Sequence, residues 1–78
     1  MKESRHSGKY AQLLEVLRQT RKNAGLTQTE VGLKFGTHAS FVSKVESGER
    51  RIDVIELAAF CRIYVTALFE LLEQVGIT

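Results

Sequence analysis

Between Gly36 and Lys44 the chain reads GTHASFVSK, which gathers His38, Ser40, Phe41, Ser43 and Lys44 into one short stretch. A serine beside a histidine is the beginning of a nucleophile–base pair. The same residues on one face of a helix would do something else, because hydroxyls and an ammonium pair with base edges in a DNA groove. Spacing bears on the choice. Within a helix a side chain lies over those three and four positions away, whereas Ser40 and Ser43 stand two and five positions from His38. The sequence has no Gly-x-Ser-x-Gly elbow, phosphate-binding glycine loop or cluster of metal ligands. The other histidine, His6, sits in a polar N-terminal stretch, and a chain of 78 residues can enclose little substrate. The expectation is a non-enzyme with no catalytic residues, no metal and no cofactor.

On a helical wheel of about 100° per residue, Val42 and Val45 share one side, with His38 between them in angle. Ala39, Ser40, Ser43, Lys44 and Ser47 fall on the other side within an arc of about 140°, and Phe41 sits at the boundary. Small side chains let a helix backbone approach whatever it meets, and the major groove admits such a helix.

The elements that must hold this face are themselves helical. Tyr10, Leu13, Leu14, Leu17 and Ala24 recur at helical spacing, and Gly25 supplies a left-handed end with Leu26 folding back. TQTE, Thr27 to Glu30, is a capping box that opens a second, short helix with Val31 and Phe35 on its inner face. Gly36 ends that helix. Gly32 lies inside it, where glycine costs about 1 kcal/mol against alanine; either a close helix crossing requires it or it is neutral variation. The third helix starts near Thr37 or His38, either of which can cap it, and ends before Gly48. DVIE, Asp53 to Glu56, opens a fourth helix with the stripe Val54, Leu57, Ala58 and Cys61. Thr66 can cap a fifth, carrying Leu68, Phe69, Leu71, Leu72 and Val75. The predicted fold is all-α, a compact bundle of five short helices, with a flexible arm over residues 1–8 and a single domain over residues 9–78.

Composition is compatible with this. The apolar fraction of 44% and charged fraction of 26% are ordinary for a globular domain. A single cysteine, Cys61, excludes an internal disulfide and fits a small core residue. No segment approaches the roughly 20 apolar residues that span a bilayer, and the N-terminus has no secretory pattern; a soluble cytoplasmic protein is expected, with no membrane partner. Residues 1–51 hold ten Lys/Arg against five Asp/Glu, whereas residues 52–78 hold one against four. The basic part can face an anionic polymer.

A short helix, a tight glycine turn and a second helix form the helix-turn-helix arrangement. LTQTEVGLKFGTHASFVSKVESGERR resembles the phage-repressor-like, Xre/Cro class of helix-turn-helix proteins. Leu26, Thr27, Gln28, Gly36, Ser43, Lys44, Glu46, Gly48 and Arg50 fall in register with the pattern typical of that class. Val31, Phe35, Val42 and Val45 take its apolar slots. Thr37, His38 and Gly32 depart from it, standing where an apolar residue, serine and alanine are usual. The resemblance implies a five-helix lambda-repressor-like domain that reads double-stranded DNA as a homodimeric transcriptional regulator, a repressor, on an operator with two-fold symmetry. Helix 2 and helix 3 would form the motif, with residues 38–47 in the major groove. It implies base contacts from Ala39, Ser40, Ser43 and Lys44. It also implies backbone contacts from Thr27, Gln28, Ser47, Arg50 and Arg51, and a salt bridge between Arg21 and Glu46 that orients the reading helix. His38 is a candidate either for the cap or for a DNA contact, and Phe41 either for the core edge or for a DNA contact. Phe69, Leu72 and Val75, extended by Ile77, are the candidate dimer face. The rival reading is a helix-turn-helix fold serving as a protein–protein interaction module, such as an antitoxin or a regulator's partner.

Overall fold

The computed structural model describes residues 8–76, so the predicted arm up to Ser7, with His6, and Ile77 lie outside the described residues. Five helices follow in order: α1 Gly8–Asn23, α2 Gln28–Lys34, α3 Ala39–Ser47, α4 Val54–Tyr64 and α5 Leu68–Val75. The all-α reading holds, and no strand occurs among the described residues. No described helix is long and apolar enough to cross a membrane.

Both predicted capping boxes form. Thr27 accepts from the backbone of Glu30 while the Glu30 carboxylate accepts from the backbone of Thr27, and Asp53 and Glu56 do the same for α4. Each box satisfies two of the N–H groups a helix start leaves unpaired. One expected helix start fails, and one is met in position but without a side-chain cap. α5 begins after Ala67, which has no side chain to cap with, because Thr66 is taken up in closing α4 through a bond from its backbone N–H to the Cys61 carbonyl. α3 begins after His38, whose backbone is extended and whose side chain makes no capping bond.

Among the described residues thirteen apolar side chains form the core, from Tyr10, Leu13, Leu14 and Leu17 of α1 to Leu71 and Val75 of α5. Phe60 of α4 is fully buried at its centre, with Phe35 at 4.6 Å, Phe41 at 6.1 Å and Tyr64 at 5.9 Å between ring centroids. Tilted and offset rings at these spacings contribute beyond their area. The predicted α4 stripe was thus rotated: Leu57 and Cys61 are buried, but Val54 is exposed at the helix start, and Phe60 and Tyr64 take the inner positions. Ala24 is exposed in the turn after α1 rather than in its stripe. Burial pushes the Cys61 thiol up from its ordinary pKa, as befits a core side chain.

α2 packs most closely on α3, and the turn between them runs through Gly36 at φ 79°, a conformation glycine adopts without steric cost. The same left-handed region is occupied after α4 by Val65, at φ 58° with its side chain 90% exposed. A β-branched residue there is an outlier that no packing repays. The strain is about 2 kcal/mol, and a glycine's extra freedom in the unfolded chain offsets about 1 kcal/mol of its relief. Val65→Gly is therefore expected to stabilise the fold by about 1 kcal/mol, raising the melting temperature by about 4–8 °C. A melting temperature equal to or below the parent's would contradict it.

Candidate nucleic-acid interface

The face of α3 follows from its anchoring. Val42 and Val45 are fully buried against the core, which turns Ser40, Ser43, Lys44 and Ser47 to solvent and leaves Ala39 half-buried at the α2 side. Phe41, at the boundary, is a core-edge residue. One side meets Phe35 at 5.1 Å and Phe60, and the Arg50 guanidinium lies over its ring at 4.9 Å. Phe41 is thus packed at the core edge and stays partly exposed.

The orientation of α3 is held by a buried ionic cluster. Arg21 of α1 donates to both Glu46 carboxylate oxygens, at 2.7 and 3.1 Å, and to the Leu26 carbonyl at 3.0 Å. Gln28, the first residue of α2, donates its amide N–H to the same carboxylate at 3.0 Å. One carboxylate thus ties three helices together, with its side chain only 4% exposed. The hydrogen bond to Glu46 and the attraction of its charge hold Arg21 above its usual pKa despite burial. The Tyr64 hydroxyl lies buried without a hydrogen-bond partner among the described residues, and burial raises its pKa. The Gln28 amide has a second N–H, so its bond to Glu46 positions the side chain and leaves a donor for an anion.

The other residues expected at a DNA backbone divide sharply. Arg50 donates through both arms of its fork to Glu56, at 2.9 and 2.8 Å, so its charge is answered within the chain. The hydrogen bond to Glu56 comes first among the causes that raise its pKa, and the matching bond from Arg50 lowers that of Glu56. Arg51 instead lies over the Tyr10 ring at 4.3 Å, with no carboxylate partner among the described residues. Cation–π contact of this kind holds a guanidinium flat while leaving its edge donors outward. Ser47 gives its one hydroxyl hydrogen to the Lys44 carbonyl at 3.2 Å and accepts from Glu49. In that arrangement it has none left for a phosphate oxygen. Thr27 is similarly engaged in its capping box.

Two basic residues outside the motif join the site. Arg18 and Lys22 of α1, with Gln28, Thr29 and Ala39, line an open cleft of about 650 Å³ where α1 faces the start of α2 and α3. The sequence places both on outer faces of α1, and their offset of four is the signal that they share one face. One contact runs against the helical offsets: His38 Nδ1 lies 2.9 Å from Ser40 Oγ. Helical offsets do not apply there, because His38 precedes the helix with extended backbone and its ring can reach forward. No group of three or more His, Cys, Asp or Glu placed to hold a metal ion occurs among the described residues.

Two helices joined by a glycine turn, the second presenting a small polar face beside basic side chains, define a helix-turn-helix module, a class that binds DNA through that second helix. The chain belongs to the helix-turn-helix domain family, whose model matches residues 12–72. No curated protein and no solved structure matches it significantly.

Proposed function

We propose that this protein is a sequence-specific regulator of transcription, a repressor of the Xre/Cro class, acting as a homodimer on a two-fold operator. The observation that carries the reading is the α3 face itself: Ser40, Ser43 and Lys44 exposed above fully buried Val42 and Val45, on a helix clamped through Glu46. Hydroxyls and a lysine are suited to base edges, with guanine O6/N7 the natural partner of Lys44. Gln28 and Arg51 are the best placed to meet phosphates, and Arg18 and Lys22 extend the positive surface beyond them. The dimer face rests on Phe69, 61% exposed, and on partly buried Leu72. Val75, 2% exposed, belongs to the core and is withdrawn from it. A dimer of this type would set its half-sites about 34–36 Å apart.

The test is selection of a binding site from random duplexes, followed by titration at several salt concentrations. Lys44→Ala should lose discrimination at particular base pairs, by about 1–3 kcal/mol. Arg51→Ala should weaken all sequences alike and reduce the salt slope by about 1, one released counterion. Arg50→Ala should change the slope less, because Glu56 already neutralises it. If no sequence is enriched above non-specific binding, the interaction-module reading takes its place, with exposed Leu33, Val54 and Ile55 as its apolar anchors.

A further inference from the structure

We infer that His38 is a specificity-determining residue: by accepting the Ser40 hydroxyl hydrogen, its imidazole makes Ser40 read a base edge that donates, the amino group of adenine or cytosine. This rests on the proposal that α3 reads bases.

A serine hydroxyl carries one donor and two acceptor lone pairs, so a serine in the groove meets donor and acceptor edges alike. Here a ring nitrogen beside the hydroxyl bears on that choice. Ser40 Oγ lies 2.9 Å from His38 Nδ1, close enough for a full hydrogen bond. In a neutral imidazole one nitrogen is a basic acceptor and the other a donor. The acceptor nitrogen binds a hydrogen more strongly than an alkyl hydroxyl oxygen does, so O–H···N is the better of the two arrangements. Ser40 then keeps only lone pairs for the groove. Guanine O6/N7 and thymine O4 are acceptors and would face those lone pairs unfavourably, whereas adenine N6–H₂ and cytosine N4–H₂ can donate to them.

The fold makes this contact available. His38 stands in the N-cap position with φ −142° and ψ 175°, and its side chain makes no capping bond. A Cβ at position 32 would lie 2.5 Å from the His38 carbonyl carbon and 2.6 Å from its oxygen, so the turn takes this course only over the glycine of α2. Both residues are exposed, and Ser40 shares the outer face of α3 with Ser43 and Lys44. Serine, usual at this position in the class the sequence resembles, would have no imidazole nitrogen to offer.

The experiment uses the whole chain and the selected operator in mildly alkaline buffer. Ser40→Ala identifies the base pair it reads, as the one whose preference disappears. Replacing the adenine or cytosine of that pair by its analogue without the amino group (purine or 2-pyrimidinone) should weaken the parent more than it weakens Ser40→Ala. His38→Ala should leave the melting temperature within error of the parent's, since no cap bond is lost. It should reduce the preference for the amino-bearing base at that pair by about two- to tenfold, one hydrogen bond's worth. In the double variant His38→Ala should add nothing at that pair. Amino-group removal that weakens the parent and Ser40→Ala equally overturns the inference, as does a His38→Ala protein with unchanged preference, or a Ser40→Ala protein that loses preference at no pair. A uniform loss across all sequences with a flatter salt slope would make His38 a phosphate contact instead. Failure to enrich any sequence would sink the DNA reading itself, a different result from each of these.

Discussion

Gly32→Ala is expected to cost about 2 kcal/mol of folding stability and to weaken operator binding further than that loss explains. Alanine is the better helix residue by about 1 kcal/mol, so local propensity predicts the opposite sign. Packing decides against it. A Cβ at position 32 would lie 2.5 Å from the carbonyl carbon of His38, 2.6 Å from its oxygen and 2.9 Å from the nitrogen of Ala39. All three are backbone atoms, so no side-chain rotation makes room, and the overpacking lies at the upper end of the usual range, about 3 kcal/mol. The atoms that must yield are the last of the turn and the first of α3. Thr37 donates its N–H to the Gly32 carbonyl at 2.8 Å, so the turn is tied to this same residue. Relief therefore moves His38, Ala39 and Ser40, the leading end of the reading helix. Chemical denaturation measures the stability, and titration of the operator at a temperature where both proteins are folded measures the displacement. Gly8→Ala, which meets nothing within 4 Å, is the control. A Gly32→Ala protein as stable as the parent would mean that the close crossing of α2 and α3 is not what holds glycine there.

That crossing illustrates which parts of the molecule are legible in the sequence. Caps and turns are local, and TQTE, DVIE and Gly36 act through residues three or four apart, so reading them needs no tertiary knowledge. Periodicity found the inner faces of α1 and α3 for the same reason. It failed in α4, where Val54, Ala58 and Phe60 are all apolar and period alone cannot choose the stripe. Only the aromatic cluster of Phe35, Phe41 and Phe60 settles that choice, and it is assembled from the α2–α3 turn, α3 and α4. Val75 was misplaced similarly, because an apolar residue on a terminal helix looks the same whether it faces α1 or a partner. The site divides along the same line. Exposure of Ser40, Ser43 and Lys44 follows from the wheel. The pairing of Arg50 with Glu56 follows from a loop conformation that no periodicity describes, as does the stacking of Arg51 on Tyr10, and both change how much charge the face offers to DNA.

Glu46→Ala should be the most damaging single substitution, at about 3–5 kcal/mol, because it strands the Arg21 guanidinium in the interior with only the Leu26 carbonyl as partner. A domain of this size has about 4–12 kcal/mol in all, so the variant should be marginal or unfolded at room temperature. The loss alone does not show what the cluster is for, since an unpaired buried charge is costly whatever the pair contributes. Removing both charges separates the two. Arg21→Met with Glu46→Leu replaces the pair by apolar side chains, and such exchanges leave stability unchanged or raise it by about 1–4 kcal/mol. If the cluster serves only folding, that double variant should bind the operator like the parent. The geometry predicts otherwise. The Glu46 carboxylate fixes Gln28 at the start of α2 as well as Arg21 on α1, so its three bonds set both the register of α3 and the aim of a phosphate donor. Apolar packing is less directional and specifies neither. The double variant is expected to melt at or above the parent's temperature and to bind the operator about tenfold more weakly, with reduced discrimination among operator variants. Binding equal to the parent's would reduce the Arg21–Glu46–Gln28 cluster to a replaceable part of the core.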